Sequence, residues 1–183
     1  MATWVINLNH SSAKFAVRHM MVSWVVGLFT KIRGTLNFDP ANVPGSGVAV
    51  EIEAASIYTG VEQRDQHLRS PDFLDADRYP TIFFQSTRVE SAGLDHAWVH
   101  GDLTIRGVTQ PVILDVRWAG PAHFDDEGKI YTSFGFRART RINRADFGML
   151  FNTEMEHGGF MVGKHVYLTL NAEVDLAGEE AGG

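Results

Sequence analysis

Apolar and polar side chains alternate with period two in segment after segment of this 183-residue chain, the pattern of strands with one buried face. Val48, Val50 and Ile52 alternate with Ala49 and Glu51, and Val112, Leu114, Val116 and Trp118 alternate with Ile113, Asp115 and Arg117. The longest run covers 130–142, where Ile130, Thr132, Phe134, Phe136, Ala138, Thr140 and Ile142 share a face opposite Tyr131, Ser133, Gly135, Arg137, Arg139 and Arg141. A last strand over 165–175 turns Val166, Leu168, Leu170, Ala172 and Val174 inward. Weaker alternation marks strands near 11–18, 28–38, 82–91 and 97–106, about eight in all, joined by turn-forming stretches such as PGSG at 44–47 and DDEG at 125–128. Helices do not alternate with these strands, so an all-β antiparallel fold is expected rather than a parallel α/β sheet. Eight strands suit a closed up-and-down barrel that is filled by side chains or holds one small ligand. Alternation alone does not separate a barrel from a two-sheet sandwich.

Two segments depart from this rhythm. VEQRDQHLRSPDFLDA at 61–76 carries helix formers, with Pro71 placed to stop a short helix, and reads as a helical excursion between two strands that could serve as a lid. MMVSWVVGLF at 20–29 is the most apolar window. It is far short of the roughly 20 residues of a spanning helix, so no membrane span is expected and the segment reads as a lid or an interface. The small, acidic AGEEAGG at 177–183 reads as a disordered tail, which leaves 1–176 as one domain.

Composition narrows the function classes. The formal net charge is −6 and the sixteen Lys and Arg are spread along the chain, which argues against a nucleic-acid partner. The absence of cysteine excludes disulfides, thiol nucleophiles and cysteine-held metals. The first residues show neither the charged nor the apolar region of a secretory signal, so a cytoplasmic address is expected. Eight histidines form no HExxH or HxH spacing, so no metal site is assigned. The one dense polar cluster, RDQHLRSPDFLDADRY, contains Ser, His and Asp, but Ser and Asp beside Pro are turn and cap chemistry and no GxSxG elbow is present. No catalytic residue is assigned, and without GxGxxG or a P-loop no nucleotide is expected. Twelve Phe and four Trp suit a bulky core. They also suit a cavity, and at about 3.3 Å per residue eight to ten residues of barrel wall would line a slot roughly 30 Å long, fit for a chain rather than a compact metabolite.

FAVRH at 15–19, GLFTKIRGTLNFD at 27–39, RDQHLRSPDFLDADRYP at 64–80, FQSTRV at 84–89, LTIRGVTQPVILDV at 103–116 and NRADFG at 143–148 together resemble the YceI-like polyisoprenoid-binding family, from about Trp4 to about Val174. The resemblance implies a lipocalin-like, eight-stranded extended β-barrel whose tunnel takes up a long isoprenoid, such as a polyprenyl chain or a quinone tail. It implies a tunnel lined by Phe15, Val17, Phe84, Leu103, Ile105, Val112, Leu114, Phe134 and Phe136, with His19, Arg64, Asp65, His67 and Ser86 as polar candidates for the mouth. The polar set could equally pin the helix onto the barrel. On this reading the isoprenoid or quinone is the ligand, no further cofactor is needed, and the role is storage, transport or handling of the lipid. Many members of the family carry a secretion signal and work in the periplasm, where this chain shows none. Two rivals stand beside it. One is an enzyme acting on a similar lipid with His67 or Asp65 as general base at the mouth; the other is a structural module that uses MMVSWVVGLF to form a homodimer around a filled barrel.

Overall fold

The computed structural model describes residues 1–126 and 128–177, so the expected tail lies outside the described residues from position 178 onward. Eleven strands run in chain order: β1 (Ala2–Ile6), β2 (Ser12–His19), β3 (Ser23–Phe29), β4 (Ile32–Phe38), β5 (Gly47–Glu53), β6 (Ile57–Tyr58), β7 (Thr81–Ser91), β8 (His96–Ile105), β9 (Val108–Asp126), β10 (Lys129–Asn143) and β11 (Val162–Leu176). Their antiparallel pairings close on themselves through β1 and β11. Three of the eight staves are broken strands. β1 and β2 pair with successive stretches of one edge of β11, β3 and β4 follow each other against β2 and β1, and β5 and β6 follow each other against β4 and β3. The result is the eight-stranded antiparallel barrel that the family resemblance implied and that alternation alone left open beside a sandwich.

The breaks have local causes. The Asn7 side chain accepts a hydrogen bond from the Asn9 amide, curling Leu8–His10 into a 3-10 turn. Ser11 then bridges the gap: its hydroxyl accepts from the Glu173 amide and donates to the Glu173 carbonyl, as a strand residue would. Between β5 and β6, Ala54–Ser56 form another 3-10 turn, and the Ser56 hydroxyl donates to the Glu53 carbonyl.

The helical excursion is α1 (Glu62–Arg69), which ends at Ser70 because the residue before Pro71 is pushed out of helical geometry. The helix has no side-chain cap at Val61. Arg69 holds its other end down by donating to the Ala55 and Ile57 carbonyls. α1 stands above the end of the barrel where the β2–β3 hairpin, the 149–161 loop and the turn between β8 and β9 also lie. We call that end the mouth.

The opposite end is closed by aromatic rings. Phe38 makes edge contacts with Trp118, Phe134 and Phe136 at 5.0–5.5 Å between centroids, and Trp4 meets Phe134 at 5.0 Å while its indole N–H donates to the Phe38 carbonyl. Below this floor the β9–β10 hairpin runs on past the barrel. Ile130, expected on the inward face, is exposed there along with Phe124, because β8 and β11 stop pairing short of the hairpin end and no opposing wall remains.

Candidate functional site

Between floor and mouth lies a cavity of about 450 Å³ with an overwhelmingly apolar lining. Both Val162 and Ala172 on β11 line it. They are ten residues apart, which at about 3.3 Å per residue and a stave tilt near 40° gives a depth of about 25 Å along the barrel axis. The void exists because many inward positions along its middle are aliphatic or small, with Val48, Val50, Leu114, Val116, Ala138, Leu168 and Leu170 in the lining, while the ring cluster around Phe38 lies at the floor. Van der Waals packing would otherwise fill a barrel of this strand number.

Of the nine residues assigned to the tunnel, Phe15, Val17, Phe84, Leu103, Ile105, Leu114 and Phe136 line the cavity. Val112 points inward against the core without reaching the void, and Phe134 is buried within the floor. Alternation identifies a face, whereas depth along the stave decides whether a residue lines the void or seals it.

The five polar candidates separate into three groups. His19, Arg64 and His67 line the cavity at the mouth. Asp65 lies beside Arg64 on α1 but is fully buried away from the void: one carboxylate oxygen accepts from the Thr59 amide at 2.9 Å and from the Thr59 hydroxyl at 2.5 Å. Arg64 donates to the same hydroxyl and to the Thr59 carbonyl, so these residues lock the first turn of α1 onto the end of β6. Ser86 sits on β7 in the lower half of the barrel. Its hydroxyl accepts from the Val48 amide, one residue beyond the last β5–β7 backbone pair, Ala49 with Gln85.

Several residues of the site lay outside the sequence reading. Phe73, Met149, Phe151 and Met161 line the mouth, and the His67 ring stands edge-on to Phe73 and Phe151 at 5.1 and 4.8 Å, so α1 and the 149–161 loop meet over the opening. The His67 Nε2 is 2.8 Å from an Asp72 carboxylate oxygen. The loop itself is held by Arg144, a buried guanidinium with no carboxylate partner among the described residues. It donates from Nε to the Gly163 carbonyl at 2.9 Å, from one terminal nitrogen to Met149 at 2.6 Å and from the other to Val162 at 3.3 Å. Burial lowers its pKa from the usual arginine value, but the side chain stays charged at any working pH. No local sequence signal predicts this role, since arginine is ordinarily a surface residue.

The arrangement can enclose a long apolar group and meet a polar end at one rim. Known proteins resemble the chain in sequence and fold. The family model for the YceI-like domain matches residues 4–174. A UPF0312 protein of Vibrio cholerae serotype O1 is 36% identical over 140 residues, covering 76% of this chain and 72% of the relative, and a UPF0312 protein of Pseudomonas syringae pv. tomato is 38% identical over 144 residues, covering 76% and 71%. Among solved structures, a YCEI protein of Campylobacter jejuni superposes with a TM-score of 0.71 at 27% identity, covering 86% of this chain and 88% of that one. Burkholderia cenocepacia BcnA gives 0.77 at 24% identity (92% and 98% covered), and a polyisoprenoid-binding domain of Saccharophagus degradans gives 0.69 at 13% identity (96% and 99% covered). At those lower identities the likeness concerns the fold alone.

Proposed function

The chain belongs to the YceI-like family, and from that premise we propose that it binds one long-chain polyisoprenoid, a polyprenyl chain or an isoprenoid quinone, inside the barrel and acts in the storage, transport or handling of that lipid. The observation that carries this reading is the cavity: about 450 Å³, narrow, apolar and floored at one end. A flexible chain can follow such a slot, whereas a rigid planar metabolite would leave much of it empty. Each ~100 Å² of tail area taken from water contributes about 2.5 kcal/mol, so the tail supplies the affinity. The head group stays at the mouth, within reach of His19, Arg64 and His67. The polyisoprenoid-binding domain of Saccharophagus degradans, which shares this architecture, supports the choice of ligand class.

We read the protein as a stoichiometric binder rather than an enzyme. Asp65 has its carboxylate engaged by Thr59, and Arg64 donates to the Thr59 hydroxyl and carbonyl. One arrangement favours a second reading, acid–base chemistry on a similar lipid: His67 lines the cavity with Asp72 bonded to its ring.

Native mass spectrometry of protein purified without detergent, followed by organic extraction, tests the proposal. A single isoprenoid per chain is expected, released unchanged after prolonged incubation. An empty protein that also refuses added polyprenol and ubiquinone would sink the reading, and a bound lipid that is chemically altered over time, and no longer altered in His67→Gln, would move it to the enzymatic one.

A further inference from the structure

We propose that the outer rim of the mouth is a docking face for an anionic lipid bilayer, with the β2–β3 hairpin tip settling among the headgroups and nearby cations meeting their phosphates. The hairpin tip is the first observation. Met20 and Met21 have φ of 49° and 62°, the left-handed region that hairpin turns ordinarily fill with glycine or asparagine. The chain instead places two methionines there and follows them with Val22, leaving Met21 60% and Val22 78% exposed. The exposed parts of these side chains, most of Met21 and Val22, lie outside the barrel and gain no burial from folding.

The second observation is the surface continuous with the tip. Trp24 and Val26 are exposed on the outer face of β3, and Trp24 meets exposed Tyr167 of β11 edge-on at 5.5 Å. Across the tip, the Met20 amide donates to the Met161 carbonyl and Gly159 packs on Met21, which brings exposed Phe160 alongside. Scattered apolar residues on a surface need no explanation, but a contiguous set at the rim of a lipid-sized cavity does.

Charge selects the occupant. Arg18 lies 5.0 Å over the Trp24 ring and donates to the Met21 carbonyl, Arg141 of β10 pairs with exposed Tyr167 on β11, exposed Lys164 lies near the start of β11, and exposed Lys14 lies farther down β2. In a chain of net charge −6, the ion pairs formed among the described residues include none of these four cations. The carboxylates of β11, Glu173 and Asp175, lie toward the floor and are engaged by His10, Asn7 and Ser133. Glu154, bridged to Phe160, and Glu156 oppose the attraction and bound the face on the loop side. A two-fold contact with a second copy would set these cations against themselves, whereas an anionic bilayer complements them and accepts the apolar tip. The geometry also suits transfer, because the inner residues of the same hairpin, His19 and Val25, line the cavity. A tail can pass from leaflet to barrel without crossing water.

The inference rests on the reading of the cavity as a lipid-tail receptor, yet the two fail separately when docking is measured on delipidated protein and tail uptake in detergent micelles. The full chain is sedimented with vesicles of phosphatidylcholine alone and of phosphatidylcholine with phosphatidylglycerol. Retention by the anionic vesicles, weakened by salt, is expected. The variant Met21→Ser/Val22→Ser should lower vesicle affinity roughly tenfold by removing apolar area, and Arg141→Gln/Lys164→Gln should lower it by a similar factor for the anionic vesicles alone. Both variants should keep wild-type melting temperature and micellar tail uptake. Wild-type protein left in the supernatant, affinity unchanged in both variants, or a dimer in solution dispersed by the tip variant would each overturn the proposal.

Discussion

Replacing Arg144 with methionine tests how the mouth is held together. The side chain is buried, and its three hydrogen bonds run to the carbonyls of Met149, Val162 and Gly163, the two ends of the loop over the opening. Val162 keeps a second donor, the Asn152 side-chain amide at 2.8 Å, so the heavier losses fall on Met149 and Gly163. Bonds from a charged donor contribute about 2 kcal/mol each, and the longer third bond somewhat less. Against this, removing a desolvated cation returns about 1 to 2 kcal/mol. The net cost of Arg144→Met is therefore about 3 kcal/mol, a fall of roughly 6–12 °C in Tm for a chain of this length. Urea denaturation followed by tryptophan fluorescence measures it. The partner variant Arg144→Lys keeps the charge but brings a single nitrogen to carbonyls that the guanidinium reaches through three, so it should recover less than half the loss. A methionine variant within about 1 kcal/mol of wild type, or full recovery by lysine, would refute the claim that the fork geometry holds the loop.

Three other perturbations address the barrel interior. Leu168→Trp places a large ring in the void and should change stability by no more than about 1 kcal/mol while abolishing isoprenoid uptake, read by ligand extraction and thermal melting together. Phe38→Ala removes the ring that touches Trp118, Phe134 and Phe136 and should cost about 4 kcal/mol in denaturant unfolding. Gly101→Ala would set a methyl 2.5 Å from the Gln85 carbonyl oxygen and 2.4 Å from the Phe84 ring, at a cost of about 2 to 3 kcal/mol in the same assay; a neutral result would show that β7 and β8 can move apart there.

The eight staves were legible because each carries alternation somewhere along its length, and α1 because Pro71 punctuates a run of helix formers. What escaped were the parts whose patterns are short or mixed. β1 has only Trp4 and Ile6 facing inward, too few to establish a period. β3 is apolar on both faces, Trp24 and Val26 outward and Val25 and Phe29 inward, so it reads as a lid or interface segment rather than as wall. At the mouth, Met149, Phe151 and Met161 belong to a loop with no periodicity, and their meeting with Phe73 is decided by the closure of the barrel. Asp65 and Ser86 were named for the mouth by the family resemblance, but what places them is the backbone amide each satisfies, Thr59 for Asp65 and Val48 for Ser86. Phe134 shows the remaining limit: its facing was readable, its depth was not.

The ring cluster around Phe38 gives the barrel a stop as well as a seal. A blind slot about 25 Å deep measures length. For the proposed ligand, each isoprene unit added to a short chain gains contact with the wall until the tip reaches the rings, and units beyond that point have only the mouth and the water outside it. Affinity plotted against chain length should therefore climb and then level off, and the position of the plateau reports the depth of the floor. Entry and exit share one gate, so the last segment taken in is the first presented to whatever receives the lipid.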